Sequence, residues 1–470
     1  MLHFPRLDVD DITATLYKSE DELHTMARPA VEAFQLAAVR QRFEELRPKV
    51  AALASQADDA GITAIGTLAD VVPLLFQHTT YKSYPASLID KGRFDLLTRW
   101  LTEVTSLDLS GVDTSACQGI DDWLEALEQQ SALMPFHTSG TSGKLSFFPR
   151  TKTEATLFFQ AYLKKFQGFG GKPGFELGYG GLRLPVILPV PRGGRYVSQR
   201  LAAFLRDNLA PTPDQCYTLT EGTLSADLVA LSGRVRTAQA KGDLSTIQLT
   251  DGMRAAFKRY LDELERRPEE TAAFIATMVE GLKGQRVFMM GQANYLYQSG
   301  LDAAERGISN VFSPDSLLTM GGGGKGLITL PPDWSDQVKN FTGIENMIVS
   351  YGMSEITGTM SRCEDGYFHL PPYFIAYLLD PEARAMLPRT GQQTGRFACM
   401  DLLPFSYWGG IVSGDKVTIE WDRQCPCGRT SAHIHDTITR YSEAVTGDDK
   451  VTCAATVDNT DMALKQLLSL

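Results

Sequence analysis

Apolar positions follow helical spacing over some parts of the chain and strand-like spacing over others. Residues 30–56 consist mainly of alanine and long helix-forming side chains, without Gly or Pro before Pro48, and this helical character extends over the first 130 residues. Further helical stretches are predicted at 251–267 and 271–283. Apolar or alternating runs bounded by Gly, Pro or Asp predict strands, at 182–190, 286–290, 347–351 and 411–421. Strands that alternate with long helices predict an α/β fold.

The helical pattern is interrupted at 135–150, PFHTSGTSGKLSFFPR, where small polar residues and glycines predict a loop. The apolar spacing i, i+3, i+4, i+7 then resumes, at Phe159, Tyr162, Leu163 and Phe166. A loop therefore leads into a helix at this point. No fixed-period repeat is visible, and the chain becomes polar after about Ile438.

Length and charge narrow the possible functions. A chain of 470 residues favours two or three domains. Its net charge of −11 argues against nucleic acid as the main ligand. The longest apolar runs, such as LPVILPV at 184–190, are shorter than the roughly 18 residues of a membrane helix, and the sequence MLHFPRLDVDDI lacks a basic leader with an apolar region. We therefore expect a cytoplasmic protein without a membrane partner.

Residues 138–144 have the composition of a phosphate-binding loop. Glycines allow backbone N–H groups to point inward, hydroxyls add donors, and a lysine supplies positive charge. The residues are Thr138, Ser139, Gly140, Thr141, Ser142, Gly143 and Lys144. They do not form a Walker A loop, because Thr138 replaces its first glycine and Leu145 replaces its final Ser or Thr. Taken alone, the same composition suits a solvent-exposed connector equally well.

Four short motifs follow one another along the chain, TSGTSGK at 138–144, GGGGKG at 321–326, YGMSE at 351–355 and SGD at 413–415. In this order they resemble the adenylate-forming superfamily of acyl-CoA synthetases and adenylation domains. Two of its branches are the most similar, the phenylacetate-CoA ligases and the acyl-protein synthetases of bacterial bioluminescence. The resemblance covers roughly 135–445 and implies a large N-terminal domain of packed mixed sheets and helices, whereas residues 1–130 match only in helical character.

The resemblance implies a nucleotide-binding role for each motif. The loop at 138–144 would hold the β- and γ-phosphates of ATP. The backbone of the second motif would pass close under the adenine, at Gly321, Gly322, Gly323 and Gly324. A flexible turn is the alternative reading of these four glycines.

The third and fourth motifs would complete the nucleotide site. By resemblance, Tyr351 covers the adenine face, the Ser354 hydroxyl contacts the α-phosphate, and Glu355 binds Mg²⁺; Gly352 and Met353 belong to the same motif. A flat base suits an aromatic cover, and a hard cation suits carboxylate and phosphate oxygens. Asp415 would accept the ribose hydroxyls, although an aspartate in S-G-D also suits a β-turn. No general base is required, because the substrate carboxylate is already ionised at neutral pH.

A second group of residues has the chemistry of a metal site. Seven cysteines, an odd number without dense spacing, do not indicate a disulfide scaffold. Cys363 and His369 lie in RCEDGYFHL, and Cys425 and Cys427 lie in QCPCGRT. Three thiolates and one imidazole suit tetrahedral Zn²⁺, and such a site would be structural because no coordination position stays open. The alternative is that the cysteines are buried small hydrophobes and His369 is a surface residue.

The C-terminal part departs from the resemblance. Arg440 follows Arg429 by eleven residues, the offset at which the ligase relatives place an arginine on the ribose, while a solvated arginine is the alternative. Full-length relatives continue into a mobile lid domain with a catalytic lysine. Only about 30 residues follow Arg440 here, too few for an independent domain. We therefore divide the chain into a helical part of the large domain (1–130), an adenylation core (131–439) and a truncated C-terminal segment (440–470).

These inferences together predict an acid-activating ligase. We expect ATP-dependent conversion of a small carboxylic acid to an acyl-adenylate, whose acyl group passes to a thiol or to a partner protein such as a reductase. Cys453 is a candidate acyl acceptor, by position only. The alternatives are a CoA ligase, an acid-amide synthetase and a non-catalytic nucleotide-binding relative. An apolar or aromatic acid is suggested by Met289, Met290, Tyr295 and Tyr297, although core packing places the same residue types there.

Overall fold

Two β-sheets form the frame of the computed structural model, which describes residues 4, 6–138, 144–242, 247, 249–321 and 330–441. The strands are β1 (Phe76–Gln77), β2 (Phe136–His137), β3 (Phe147–Phe148), β4 (Val186–Gly194), β5 (Cys216–Leu224), β6 (Phe288–Gln292), β7 (Leu317–Gly321), β8 (Asn346–Tyr351), β9 (Met360–Ser361), β10 (Tyr367–His369), β11 (Phe374–Leu379), β12 (Gln392–Asp401), β13 (Gly410–Glu420), β14 (His433–His435) and β15 (Thr439–Arg440).

Helices cover much of the remaining described chain. They are α1 (Asp11–Ala14), α2 (Glu20–His24), α3 (Arg28–Leu46), α4 (Ala51–Asp59), α5 (Ser87–Asp90), α6 (Phe94–Thr102), α7 (Ile120–Gln130), α8 (Lys152–Lys164), α9 (Val197–Asn208), α10 (Ala226–Lys241), α11 (Asp251–Ala276), α12 (Ala293–Glu305) and α13 (Trp334–Thr342). Short 3₁₀ turns occur at Thr15–Tyr17, Leu68–Leu74, Thr80–Lys82 and Pro213–Gln215. None of the helices in the described part of the chain is long and apolar enough to cross a membrane.

The first sheet has the strand order β5-β4-β6-β7-β8-β9. Strands β5 to β8 are parallel, and β9 is antiparallel to β8. Its strands β4, β6 and β7 are rich in buried apolar residues, as expected for parallel strands that helices cover. Because the strands are parallel, the last residues of β7 and β8, Gly321 and Tyr351, come to the same edge of the sheet.

The second sheet is mainly antiparallel, with the order β10-β14-β13-β12-β11. Two further strands pair with β13. Strand β1 is parallel to its start, with Phe76 opposite Ile411, and β15 is antiparallel to its middle, with Arg440 opposite Asp415. The first 130 residues therefore contribute helices and also one strand of this sheet, which their helical composition does not predict.

Helix α8 begins at a complete capping box. The Thr151 hydroxyl accepts a hydrogen bond from the Glu154 N–H at 3.1 Å, and the Glu154 carboxylate accepts one from the Thr151 N–H at 2.7 Å. The other oxygen of Glu154 accepts from the N–H groups of Phe405 and Ser406, at 2.8 and 2.9 Å. One carboxylate thus caps α8 and also holds the turn that follows β12.

Helices α7 and α10 cap each other at their N-termini. Asp227 accepts hydrogen bonds from the N–H groups of Ile120 and Asp121, and Asp121 accepts one from the N–H of Ala226, each at 3.0 Å. Burial, together with the charge of Asp121, raises the pKa of Asp227 to about 7. This pair ties the first 130 residues to the first sheet's helical layer.

Several elements differ from the sequence prediction, which did not include strands such as β5, β7, β11 and β12. The predicted helices at 251–267 and 271–283 form one helix, α11, which runs through Pro268 and ends in a π-helical turn. The lost backbone hydrogen bond at Pro268 is offset because residues on both sides, Tyr260 and Phe274, are buried in the core. Strand β4 begins four residues later than predicted, and Phe166 lies beyond the end of α8, although it is still buried.

Candidate active site

Three predicted ligand residues meet where β8 ends beside β13. The Tyr351 hydroxyl donates a hydrogen bond to Oδ2 of Asp415 at 2.8 Å, and Nε of Arg440 lies 3.0 Å from Oδ1 of the same carboxylate. Asp415 and Tyr351 are buried, whereas Arg440 reaches solvent. Burial, and then the neighbouring Asp415 carboxylate, raises the pKa of Tyr351 well above its usual range. The structure thus brings together residues that lie far apart in sequence.

The ring of Tyr351 is held by two other aromatic side chains. Its centroid is 5.8 Å from that of Phe397, at an edge-on angle, and 6.0 Å from that of Phe368. These contacts and the hydroxyl hydrogen bond fix both ends of the side chain. A ligand hydroxyl that binds Asp415 would therefore meet a carboxylate whose position is set in advance.

Arg150 holds the turn that carries Ser354 and Glu355. Its Nη2 donates to the Ser354 carbonyl at 2.9 Å, and its Nη1 donates to the Thr357 hydroxyl at 3.2 Å. The guanidinium is fully buried, and it lies 5.1 to 5.5 Å from the centroids of three rings, those of Phe136, Phe158 and Tyr407. Glu355 itself is half-buried.

Asp401 holds the other side of the same turn. Its Oδ2 accepts a hydrogen bond from the Thr357 N–H at 2.6 Å, and its Oδ1 accepts one from the Leu403 N–H at 3.0 Å. Burial raises the pKa of Asp401 to about 6 despite these hydrogen bonds and the nearby Arg150. Sequence reasoning missed both Arg150 and Asp401, since neither lies in a recognisable motif.

The proposed phosphate loop connects the two strands of a hairpin. Strands β2 and β3 pair with Phe136 opposite Phe148, and the Thr138 hydroxyl accepts a hydrogen bond from the Ser146 N–H at 3.0 Å. Lys144 lies three residues before β3, with its Nζ 4.7 Å from the centroid of the Tyr84 ring. The residues between them, 139–143, lie outside the described part of the chain, as do 322–324 of the glycine motif.

His137 is a buried polar residue at the base of this loop. Its Nδ1 is 3.1 Å from the Thr138 carbonyl oxygen, and its Nε2 has no hydrogen-bond partner among the residues that the structure describes. Burial lowers the pKa of His137 to about 4, so the imidazole is neutral at pH 7. The sequence prediction found no role for it.

The four predicted metal ligands form a single cluster. Their ligand atoms all lie within 4.8 Å of one another, on Cys363, His369, Cys425 and Cys427. The sulfurs of Cys363 and Cys425 are 3.8 Å apart, and the Cys427 sulfur is 3.4 Å from Nε2 of His369. Bonds of about 2.3 Å to sulfur and about 2.0 Å to nitrogen in a tetrahedron give separations of about 3.8 and 3.5 Å. The donor set and its spacing therefore fit zinc.

The residues around this cluster also suit a metal site. The Ser431 hydroxyl lies 3.2 Å from Nδ1 of His369 and 2.9 Å from Nδ1 of His24, which orients the His369 ring with Nε2 toward the sulfurs. Burial lowers the pKa of His369 to about 2 and raises the pKa of Cys425. Nη1 of Arg429 lies 3.5 Å from the Cys427 sulfur. An imidazole kept neutral is the form that binds a metal.

The residues that the sequence suggests for binding the acid lie in the packed core. Met289 is buried in an apolar cluster, and Tyr295 and Tyr297 pack partly buried against that cluster, so these residues contribute to core packing. Met290 packs against the main core, partly buried. Cys453 belongs to 442–470, which lie outside the described residues.

Comparison with known proteins gives structural similarity only. No protein-family model matches the chain, and no curated protein matches it. It is similar to the solved structure of 2-hydroxyisobutyryl-CoA ligase in the postadenylation state with R3-HIB-AMP, at 13% identity and a TM-score of 0.51, covering 89% of this chain and 69% of the other.

Other structures of this type match less closely. An open conformation of the same ligase with 2-HIB-AMP and CoA gives a TM-score of 0.49 at 13% identity, covering 90% and 72% of the two chains. Apo MatB from Rhodopseudomonas palustris gives 0.33 at 14% identity, covering 66% and 48%. The match at 0.51 confirms the fold that the ordered motifs predict: this α/β chain has the fold of the adenylate-forming enzymes.

Proposed function

We propose that the protein uses ATP to convert a carboxylic acid to an acyl-adenylate, with release of pyrophosphate. The observation that supports this proposal is the meeting of Tyr351, Asp415 and Arg440 at the edge where β7 and β8 end. In α/β folds, ligands bind at the carboxyl ends of parallel strands. The neighbouring turn with Ser354 and Glu355 extends the same edge.

Each part of this edge has a task in the proposed reaction. The Asp415 carboxylate accepts the ribose hydroxyls, and Arg440 pairs with the same carboxylate. The Ser354 hydroxyl donates to the α-phosphate. Glu355 is the carboxylate that would hold Mg²⁺, which offsets charge on the phosphate oxygens. Lys144 adds positive charge beside the β- and γ-phosphates.

The chemical step then needs positioning more than acid–base catalysis. The carboxylate of the substrate attacks the α-phosphorus, a P–O bond to pyrophosphate breaks, and the acyl-adenylate forms. Hydrogen bonds from Arg150 and to Asp401 hold the turn that carries Ser354 and Glu355. Polar groups that are fixed beforehand stabilise the transition state most effectively.

We also propose that the acid is aromatic or fatty and that its acyl group passes to a thiol. The acceptor would be CoA or a thiol of a partner protein, and Cys453 is the candidate within this chain. Assays with and without CoA separate these routes. A non-catalytic role is the alternative, and the retention of Lys144, Glu355 and Asp415 argues against it.

The Cys363, His369, Cys425 and Cys427 cluster is proposed to bind one structural Zn²⁺. Four protein ligands leave no open coordination position, so the ion would not take part in the reaction. Its task would be to join the loop after β9, the end of β10 and the loop after β13. Metal binding at such a site adds directly to the folding free energy.

ATP–pyrophosphate exchange with a panel of fatty, aryl and amino acids tests the proposed reaction. We expect Glu355→Gln to lower kcat at least 100-fold, since about 3 kcal/mol of transition-state stabilisation corresponds to that factor. Glu345→Gln is the matched control, because Glu345 is exposed just before β8 begins. Unchanged exchange in Glu355→Gln, or no exchange by the wild type with any acid, would refute the proposal.

A further inference from the structure

Lys165, directly after α8, is a buried lysine with which no carboxylate of the described residues pairs. The residue is 8% exposed. Its Nζ lies 3.0 Å from the Ser350 hydroxyl oxygen and 3.4 Å from the centroid of the Tyr162 ring. Across the part of the chain that the structure describes, no ion pair involves Lys165. The adjacent buried lysine is different, because Nζ of Lys164 pairs with Glu20 at 3.5 Å.

The position of Lys165 relates it to the proposed active site. Ser350 immediately precedes Tyr351 on β8, and successive side chains of a strand point to opposite faces. Lys165 therefore lies at the same end of β8 as Tyr351, on the opposite face. Tyr162, its ring partner, has its hydroxyl 3.4 Å from the Thr319 hydroxyl on β7. The group thus spans β7 and β8 close to their carboxyl ends.

A buried ammonium group without an anion is unstable in its charged form. Burial alone lowers the pKa of Lys165 well below its usual value. The attraction of the ammonium group to the face of the Tyr162 ring is small beside the cost of removing a charge from water. The side chain is nevertheless placed beside a hydroxyl and an aromatic face, where a ligand anion would complete its coordination. Unusual buried lysines of this kind concentrate at functional sites.

We propose that Lys165 binds a second acidic group of the substrate, so that the acid activated is a dicarboxylic acid. This inference rests on the proposed function and specifies its substrate class. One carboxylate would react at the turn with Ser354, and the other would accept hydrogen bonds from Lys165 and Ser350. Ser354 is four positions after Ser350, so the Cα atoms of these two residues lie at most about 14 Å apart.

The substrate chemistry follows from this arrangement. An acid with an aliphatic or aromatic spacer places its apolar part between the two polar ends, beside Tyr162. A monocarboxylic acid of the same length leaves Lys165 without its anion. A binding site discriminates strongly against a ligand that leaves one of its polar groups unpaired. We therefore expect wild-type protein to prefer the diacid of a matched pair at least tenfold in kcat/KM.

Exchange assays with adipic and hexanoic acid test the inference. In Lys165→Met, which keeps the length and apolar stem, we expect kcat/KM for adipic acid to fall at least 100-fold and that for hexanoic acid to change less than threefold. Lys152→Met, at the exposed start of α8, is the control and should leave both values unchanged. Should Lys165→Met fail to fold, Ser350→Ala is expected to lower the preference for adipic acid about fivefold.

A second measurement does not depend on turnover. Adipic acid without ATP is expected to raise the Tm of the wild type and not that of Lys165→Met. An equal fall in kcat/KM for both acids, or the same preference in wild type and variant, would overturn the inference. Exchange with monocarboxylic acids alone would overturn the inference and leave the proposed function standing. No exchange with any acid would overturn both.

Discussion

Replacing Arg150 with methionine should destabilise the protein and disturb the turn of Ser354 and Glu355. The side chain is fully buried and donates two hydrogen bonds to that turn, one to the Ser354 carbonyl and one to the Thr357 hydroxyl. Methionine has a similar length and fills much of the same space, but it donates no hydrogen bond. The carbonyl of Ser354 would then be left without this partner.

The size of the effect follows from opposing contributions. Each hydrogen bond from a charged donor contributes about 1.5–3 kcal/mol, and each ring contact about 0.5–1 kcal/mol. The desolvation cost of the guanidinium, about several kcal/mol, offsets part of this gain, and its Nε has no hydrogen-bond partner in the described part of the chain. Removing one member of a buried charged network usually costs about 3–5 kcal/mol. We expect Arg150→Met to lower the free energy of unfolding by that amount.

Urea unfolding followed by far-UV circular dichroism measures this change. Arg150→Lys is the matched variant, because lysine keeps the charge but lacks the forked guanidinium that reaches both Ser354 and Thr357. Its free energy of unfolding should therefore fall by about half as much as that of Arg150→Met. In the Arg150→Met protein that folds, kcat for pyrophosphate exchange should also fall about 10-fold or more. The reason is that displacement of Ser354 and Glu355 from their positions weakens catalysis. A loss of stability below about 1 kcal/mol in Arg150→Met would refute the reasoning.

Three further predictions concern the metal cluster, the C-terminal thiol and pH. Purified protein should contain one zinc per chain by elemental analysis, and Cys425→Ser/Cys427→Ser should contain none. Incubation with ATP and a labelled acid should leave label on the denatured protein that neutral hydroxylamine releases, and Cys453→Ser should lack it. The pKa of His137 is about 4 in the folded protein and 6.5 in the unfolded chain, so the unfolded chain binds the extra proton and stability falls with falling pH. The expected loss between pH 7.0 and 5.5 is about 1.2 kcal/mol, and it should be absent from His137→Phe.

Each of these predictions has a contrary outcome. Full zinc content in the double cysteine variant would exclude the cluster as the binding site. Equal labelling of wild type and Cys453→Ser would exclude the thiol as the acyl acceptor. Since the carboxylates titrate in both proteins, the comparison of wild type with His137→Phe isolates the imidazole, and parallel pH dependence of their unfolding free energies would contradict its buried neutral state.

Local composition predicted the positions of four strands, those that became β4, β6, β8 and β13, and the residues of the metal cluster. Runs such as 347–351 became β8, and Cys363 and Cys425 meet although 62 positions separate them. Cysteine and histidine side chains share the ability to bind zinc. The cluster could therefore be proposed from residue types, without a prediction of which residues come into contact.

Other features depend on contacts that a local pattern does not contain. Lys165 follows the apolar residues of α8, and only the fold shows that no carboxylate faces it in the described chain. Arg150 and Asp401 hold the same turn although 251 positions separate them in the sequence. Strand β1 consists of Phe76–Gln77, which is too short to produce a period-two pattern. The nucleotide roles of Ser354 and Glu355 stay predictions from resemblance.

The pairing of β1 with β13 has a consequence for synthesis of the protein on the ribosome. Roughly 330 residues separate Phe76 from its partner Ile411. At translation rates of about 5–20 residues per second, β1 emerges about 15 to 70 seconds before its partner strand exists. During that interval its apolar residue and open backbone edge have no native partner. The nascent N-terminal part is therefore the stretch for which we expect chaperone binding during translation.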